Sequence, residues 1–564
     1  MSKKILSWML MSALTVSSLT GCGQSSDKQT TSTNQDKQTV AVENIDPMGK
    51  YEEPVTVTAI LSYGSAPTEC PPDLTPETQS FVQLAKDVLN IDVEFLWTAP
   101  EDQYAQKLGV AMASGDLPDF MALNATDYEL LRESELLMPL NEVLPYASDT
   151  LNEWIYRDPN ILENVTYDGD VMAIPQYWDG RRGLNFLMIR EDWLDELGLE
   201  VPETVEEFTH VIRMFKEKKG AEVGIPLTKS LTGYRSVDNV INMFGGYLDA
   251  WIDNGQGELI PGEIQPEAKE ALGYLNGLYK EGLIHKEFAM HDASKASEFV
   301  LTNKTGIIIG PWWMYDAVAG KAMSKNPETR WTQGPLPVQG NGKTILDRVT
   351  IEEYNVINAN CKNPDAVMKL FNLWVEVNIN AAEFGELATE AGGWAWNWVP
   401  TTLYDPFDIA EEHKLWNEAI DEANGVFTLE TFPEEKLKAE GSAVFLEIWE
   451  LLPQYYEWKK GTGQWDEKNR LGRMLGRVDV DYGWGETVRI EEAGNFVYDE
   501  FFGSSTPTMV QRGSTLTKLT EETFLKIIMG ELPLDAFDSY KENWLKLGGQ
   551  DIITEVNEWY QTVK

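Results

Sequence analysis

The sequence predicts an α/β protein built from at least two bodies, and three observations carry that prediction. The chain has 564 residues, whereas a single hydrophobic core stops growing near ~250–300 residues. Its composition, 43% hydrophobic and 24% charged with a mean hydropathy of -0.32, is that of a folded soluble protein and neither fibrous nor disordered. Apolar runs with strand alternation follow one another through runs with helical spacing, the pattern of a sheet covered by helices.

The amino end is read first. Lys3 and Lys4 precede the apolar stretch Ile5 to Leu19, which is too short for a comfortable membrane span and reads as an export signal. Leu19-Thr20-Gly21-Cys22 follows and resembles the lipobox of bacterial lipoproteins. The resemblance implies a signal peptide over residues 1–21, lipidation (palmitate) at Cys22 and a protein held on the extracellular face of the cell membrane. Acyl chains contribute about 0.8 kcal/mol per buried CH2, so two or three of them suffice without a transmembrane helix. Residues 22–50, rich in Ser, Thr, Gln, Asp and Lys, cannot repay the entropy of ordering and read as a flexible tether.

Charge and cysteine content narrow the function. There are 91 Asp and Glu against 46 Lys and Arg, a net charge of -45. Loss of Lys3 and Lys4 with residues 1–21 makes it -47, since no acidic residue leaves with them. Such a field repels phosphate backbones, so nucleic acid is not expected as a partner. Cys22, Cys70 and Cys361 are too few for a disulfide scaffold or a four-cysteine zinc site. Cys70 and Cys361 read as small buried hydrophobes. His210, His285, His291 and His413 are isolated, and no nucleophile-elbow, zincin or dinucleotide fingerprint occurs. With 91 acidic residues, carboxylate pairs arise by chance and do not argue for hydrolysis. No catalytic residue, metal or cofactor is expected.

The folded part opens with a strand at Val55 to Leu61. A helix carrying Phe81, Leu84, Ala85 and Val88 follows, then an alternating run at Ile91, Val93, Phe95 and Trp97. A second helical stretch from Glu101 to Ala113 leads through a turn into Phe120-Met121-Ala122-Leu123. This alternation predicts a parallel sheet with covered faces. Later strands are expected at Gly183 to Ile189, Thr305 to Ile309 and Tyr354 to Asn358. In the tail, Phe537, Tyr540, Trp544 and Leu547 form one helical stripe, Gly548-Gly549 a stop, and Ile552, Ile553, Val556, Trp559, Tyr560 and Val563 a second stripe.

Four stretches carry a resemblance. They are the turn Ala113 to Asp119; Leu187 to Leu194 followed by Val201-Pro202-Glu203-Thr204-Val205-Glu206-Glu207-Phe208; Gly306 to Trp313; and Lys526 through Tyr560. Together the chain resembles the extracellular solute-binding proteins of the maltodextrin-binding group, which feed ABC importers. Its carboxyl end is similar to large lipoproteins of the aldouronate-transport type. The resemblance implies a two-lobe periplasmic-binding-protein (type II) α/β fold with discontinuous lobes and a central ligand cleft. Lobe 1 is expected over residues 51–180 with 350–398 returning to it, and lobe 2 over 181–349 with 399–564 returning. Some large relatives carry a calcium loop near Lys216 to Val223, but no D-x-D-x-D-G pattern stands here, so calcium is not carried over.

The candidate ligand residues follow from strand ends and aromatic content. Trp312 and Trp313 come after Gly310-Pro311, where a strand ends and open α/β sheets present loops to ligand; the resemblance puts a tryptophan against sugar there. Trp394 and Trp396 alternate with Trp398 beside Gly392-Gly393, and Trp178 precedes Asp179-Gly180-Arg181-Arg182. Tyr63 and Ser65 follow the first strand; Asn124 and Asp127 follow the strand ending at Leu123, where Asp127 equally suits capping the helix entered at Tyr128. Arg181, Arg182 and Arg235 are candidates for holding a uronate carboxylate. The sequence thus predicts a monomeric lipid-anchored binding protein that captures an oligosaccharide, with xylo-oligosaccharide or aldouronate suggested by the resemblance, and delivers it to ABC permease subunits. An exported carbohydrate-active enzyme and a surface glycan sensor are the alternatives.

Overall fold

A parallel pair of strands begins the computed structural model, which describes residues 45–63, 74–157, 159–178, 180–340, 343–346, 350–392, 398–404, 409–431, 443–462 and 471–564. Val55–Tyr63 lies beside Ile91–Pro100, with Val55 opposite Ile91 and Tyr63 opposite Pro100. The Ser80–Leu89 helix joins them. Gln79 caps its start by accepting from the Phe81 N–H, and Asn90 ends it in the left-handed region at φ 59°. Phe81, Leu84, Ala85 and Leu89 form its buried face, so the β-α-β unit has the stripe that its periodicity predicts.

The next sheet departs from expectation. Phe120–Leu123 pairs antiparallel with Thr350–Ile357, and that strand pairs antiparallel with Ile174–Trp178. A parallel sheet was the natural extension of local alternation, but the middle strand arrives from more than two hundred residues downstream and runs the other way. Periodicity reports that a segment is a strand and which face it buries, not its partner. Around this sheet one apolar core takes residues from Val57 to Ile174 and again from Tyr354 to Leu403. The Pro364–Ile379 helix is apolar on nearly every side and lies inside that core, with Trp374 edge-on to Phe81 at 6.0 Å and Phe371 to Phe120 at 6.2 Å.

A second body is organised by a three-stranded antiparallel sheet in the order Ile307–Gly310, Phe186–Arg190, Trp331–Gly334. All five residues of the central strand are buried because both faces are covered. Leu187 and Ile189 join Ile307 and Ile309 in one core, whereas Phe186 and Met188 join Ile308 and Trp331 in another. This is the period of two expected for a strand. The first of these cores also takes Phe524, Phe537, Tyr540, Trp544, Ile552 and Val556 from the tail helices Pro507–Met529, Ala536–Trp544 and Gln550–Val563. Gly548, at φ 133°, breaks the chain between the last two, as its sequence predicts. The other core takes Trp416, Trp449, Tyr455, Met474 and Trp484. Both bodies are therefore assembled from pieces distant in sequence. Among the described residues no helix is long and apolar enough to cross a membrane.

Candidate ligand-binding site

In the second body the site begins where the Ile307–Gly310 strand ends. A Cβ on Gly310 would stand 2.6 Å from Met314 Cγ, so only glycine lets the chain turn here. Pro311 stops the strand, and Met314 N–H donates to the Pro311 carbonyl at 2.9 Å, winding the next residues into a helical turn. That turn sets the two indoles at right angles: the Trp312 and Trp313 centroids are 5.8 Å apart with planes at 89°. Both are half-buried. Trp312 is held edge-on to the fully buried Trp484 at 5.6 Å, with the Arg477 guanidinium 4.4 Å from its centroid. Tyr234 stands perpendicular to Trp313 at 6.2 Å and keeps 39% of its surface exposed.

Arg477 reaches Trp312 through close packing of two backbones. Leu471–Arg477 lies against Tyr315–Ala319, and Gly472 and Gly476 are the residues at the contact. A Cβ on Gly476 would meet the Trp312 ring at 2.8 Å.

In the first body, Tyr63 closes its strand opposite Pro100 and is half-buried. Trp97 and Tyr104 form an aromatic pair at 5.4 Å, with Lys107 5.6 Å from the Trp97 ring. The Tyr104 hydroxyl donates to the Ala122 carbonyl at 3.3 Å. Burial raises its pKa, and the carboxylates of Glu353 and Asp127 raise it further. The helix after Leu123 begins at Ala125 and its cap is Asn124, not Asp127: Asn124 Oδ1 accepts from the Asp127 N–H at 2.9 Å and its Nδ2 donates to the Asp127 carboxylate at 2.8 Å. Both polar side chains are thus engaged with each other at this strand end.

The Gly180–Gly183 turn follows the Ile174–Trp178 strand of the first sheet and precedes the Phe186–Arg190 strand of the second. Arg182 forms a buried ion pair with Glu412 at 2.9 Å and lies 5.6 Å from the Trp484 ring, which also receives Arg477 at 5.0 Å. On its other side Arg182 acts on Tyr404, whose pKa burial pushes up, with Glu352 and Glu353 adding to the rise and Arg182 opposing it. Arg181 pairs with Glu491 at 2.7 Å. Trp484 therefore links Arg182 to Trp312, and through it to Trp313 and Tyr234. Arg235 follows Tyr234, buried in the left-handed region at φ 61°.

The sequence did not single out Tyr104, Glu353, Tyr404, Tyr234 or Arg477. Two signals point to the last two: Tyr234 sits directly beside the candidate Arg235, and Gly472-x-x-x-Gly476 is the spacing that lets helices approach closely. Of the remaining candidates, Trp178 ends its strand opposite Thr350. Ser65, Trp394, Trp396 and Cys22 lie outside the described residues. Trp398 is buried, and its carbonyl accepts from Gln79 Nε2 at 3.3 Å. No cluster of three or more His, Cys, Asp or Glu placed to hold a metal occurs among the described residues.

Comparison with known proteins defines the class. The family model for bacterial extracellular solute-binding protein matches residues 72–376, more than half of the chain. The chain belongs to this family. Over 509 residues it is 24% identical to lipoprotein LipO of Bacillus subtilis (strain 168), covering 88% of this chain and 91% of that protein. Over 501 residues it is 26% identical to the polygalacturonan/rhamnogalacturonan-binding protein YtcQ of the same organism, covering 87% and 89%. Among solved structures, alginate-binding protein AlgQ2 without calcium ion superposes with a TM-score of 0.63 at 16% identity, over 91% of this chain and 99% of that one. The S. pneumoniae ABC-transporter substrate-binding protein FusA in complex with kestose gives 0.61 at 16%, over 90% and 99%. The fold is the two-lobe α/β type II periplasmic-binding-protein fold.

Proposed function

We propose that this chain is the extracellular substrate-binding protein of an ABC importer, anchored by lipid at Cys22, and that it captures an oligosaccharide between its lobes without chemically altering it. The reading is carried by one observation: a right-angled indole pair, Trp312 and Trp313, stands half-buried at a strand end in lobe 2, framed by Trp484, Arg477 and the exposed ring of Tyr234. Indole faces stack on the apolar faces of a pyranose, and their breadth tolerates a chain of sugars. Lobe 1 spans 51–180 with 350–398, and lobe 2 spans 181–349 with 399–564. The ligand candidates of lobe 1 are Tyr63, Asn124 and Asp127, with Ser65, Trp178, Trp394 and Trp396 as further candidates by sequence, and those of lobe 2 are Trp312, Trp313, Arg181 and Arg235.

The mechanism is hinge closure. A ligand touching both lobes favours the closed state over the open one, and its differential affinity sets how far the population moves. The closed monomer then docks on the permease. Xylo-oligosaccharides and aldouronates are the ligands to try first, and the similarity to the polygalacturonan/rhamnogalacturonan-binding protein YtcQ adds galacturonans.

The test is titration of the purified protein with xylotetraose, an aldouronate and trigalacturonate, followed by tryptophan fluorescence and by an assay for new reducing ends. Saturable binding without new ends is expected. Trp313→Ala is expected to weaken it about tenfold or more, since a buried aromatic anchor is worth ~2 kcal/mol. Release of new ends, or unaltered affinity in both Trp312→Ala and Trp313→Ala, would refute the reading.

A further inference from the structure

Three arginines are buried among the described residues. Arg182 faces Glu412 at 2.9 Å, and Arg190 holds Asp192 through two bonds of 2.8 and 2.6 Å. Arg235, only 4% exposed, forms no ion pair among the described residues. Its Nη1 donates to Ser297 Oγ at 2.6 Å, its guanidinium lies 5.2 Å from the Tyr234 ring centre, and its Nε has no partner. In a chain with 91 acidic residues, a buried guanidinium left without one is a cost the fold bears locally. Burial works against its charge, yet arginine stays protonated.

The backbone carrying it is strained and firmly pinned. Gly233 is at φ 106° and Arg235, which has a side chain to accommodate, is at φ 61°. The Arg235 N–H donates to the Ile309 carbonyl at 3.2 Å and to Asn239 Oδ1 at 3.0 Å, while Asn239 Nδ2 donates to the Gly233 carbonyl at 2.9 Å. These bonds tie the turn to the strand that ends at Gly310, and they press Tyr234 against Trp313 with its ring still open to solvent.

We propose that the Gly233–Arg235 turn completes the lobe 2 subsite: Tyr234 is a third aromatic wall beside Trp313, and Arg235 is the fixed counter-charge for a carboxylate carried by the bound oligosaccharide. The inference rests on the oligosaccharide-binding reading and deepens it, because it selects an acidic sugar over its neutral twin. A planar guanidinium matches a carboxylate in geometry as well as charge. It is prepaid in orientation, since Ser297 and the turn already hold it.

The experiment is calorimetric titration of the full chain with four probes in two acid–neutral pairs: trigalacturonate and its methyl ester, and a xylotetraose bearing one glucuronic acid and plain xylotetraose. Each acid is expected to bind at least tenfold more tightly than its neutral counterpart, with the difference shrinking as salt is raised. In Arg235→Gln the acid-to-neutral affinity ratio is expected to fall to about one; Arg235→Lys is expected to keep part of it, and Tyr234→Ala to weaken acid and ester alike. Equal binding of acid and ester by the unmodified protein overturns the inference and leaves the sugar reading standing. Full preference retained in a folded Arg235→Gln or Arg235→Lys protein overturns it too, by assigning the selection elsewhere. Should Arg235→Gln not fold, the milder Arg235→Lys together with the acid-to-ester ratio decides. Binding of none of the probes refutes the sugar reading, and this inference with it.

Discussion

Replacing Gly472 by alanine should pry apart the two backbones that stand behind Trp312. A Cβ there would lie 2.0 Å from the Tyr315 carbonyl oxygen, 2.4 Å from its carbon and 2.5 Å from Asp316 Cα. Carbon contacts are at rest near ~3.5–4.0 Å, so the Leu471–Arg477 helix must retreat by about 1.5 Å. All three atoms are backbone and none can rotate away. Opposite stands Gly320, whose own Cβ would meet Gly472 N at 2.6 Å. Overpacking of this kind costs about 1–3 kcal/mol, and the upper end applies because no side chain can yield. The retreat also carries Arg477 off the Trp312 face, 4.4 Å away, at a further cost of about 0.5–1 kcal/mol. A body of this size loses about 2–4 °C of Tm per kcal/mol, so a fall of about 7–16 °C is expected in a thermal melt followed by tryptophan fluorescence. The matched control is Gly277→Ala, in the last turn of the Pro266–Lys280 helix with nothing within 4 Å of its Cβ; it should stabilise slightly. A Gly472→Ala protein melting within about 1 °C of the parent would show that the backbone contact is not as close as described.

Two further outcomes follow from the same reasoning. Burial pushes the His413 imidazole down to about 4, so between pH 6.5 and 4 the unfolded chain binds a proton that the folded chain refuses. Stability is therefore full above pH 6.5 and falls as the pH drops towards 4, by up to about 3 kcal/mol from this group. His413→Gln should flatten the acid limb of the Tm profile, and superimposable profiles for the two proteins would contradict the assignment. Separately, Cys22→Ser should move the protein from the detergent phase to the aqueous phase in a partition of expressing cells, and continued detergent partitioning would remove the lipid anchor from the proposal.

Much of the local structure is legible in the residues. The stripe Phe81, Leu84, Ala85 predicts a helix and the face it buries, and the Gly548-Gly549 break is visible because no side chain suits φ 133°. The strand end at Gly310-Pro311 is equally plain, since proline ends pairing and glycine permits the turn. Sheet partners are not legible. Leu123 finds Tyr354, and Met188 finds Ile308 and Gln333, through pairings that no period within one segment encodes. The same limit applies at the candidate site. Trp312 is conspicuous in sequence, but Arg477, Trp484 and Tyr234, which frame the indole pair, come from helices and turns far along the chain.

Taken alone, the residues determine which segments are strands and helices, because backbone preference and hydrophobic period act within a few residues of one another. They also determine the acidic charge of the chain. Only the tertiary structure decides which cations meet which acids. Arg182 and Arg235 are equivalent as letters, yet one is buried against Glu412 and the other against Ser297 and Tyr234. The physical reason is that Coulombic pairing depends on separations of a few ångströms between residues hundreds apart in sequence, and only the packing of the cores brings such residues together.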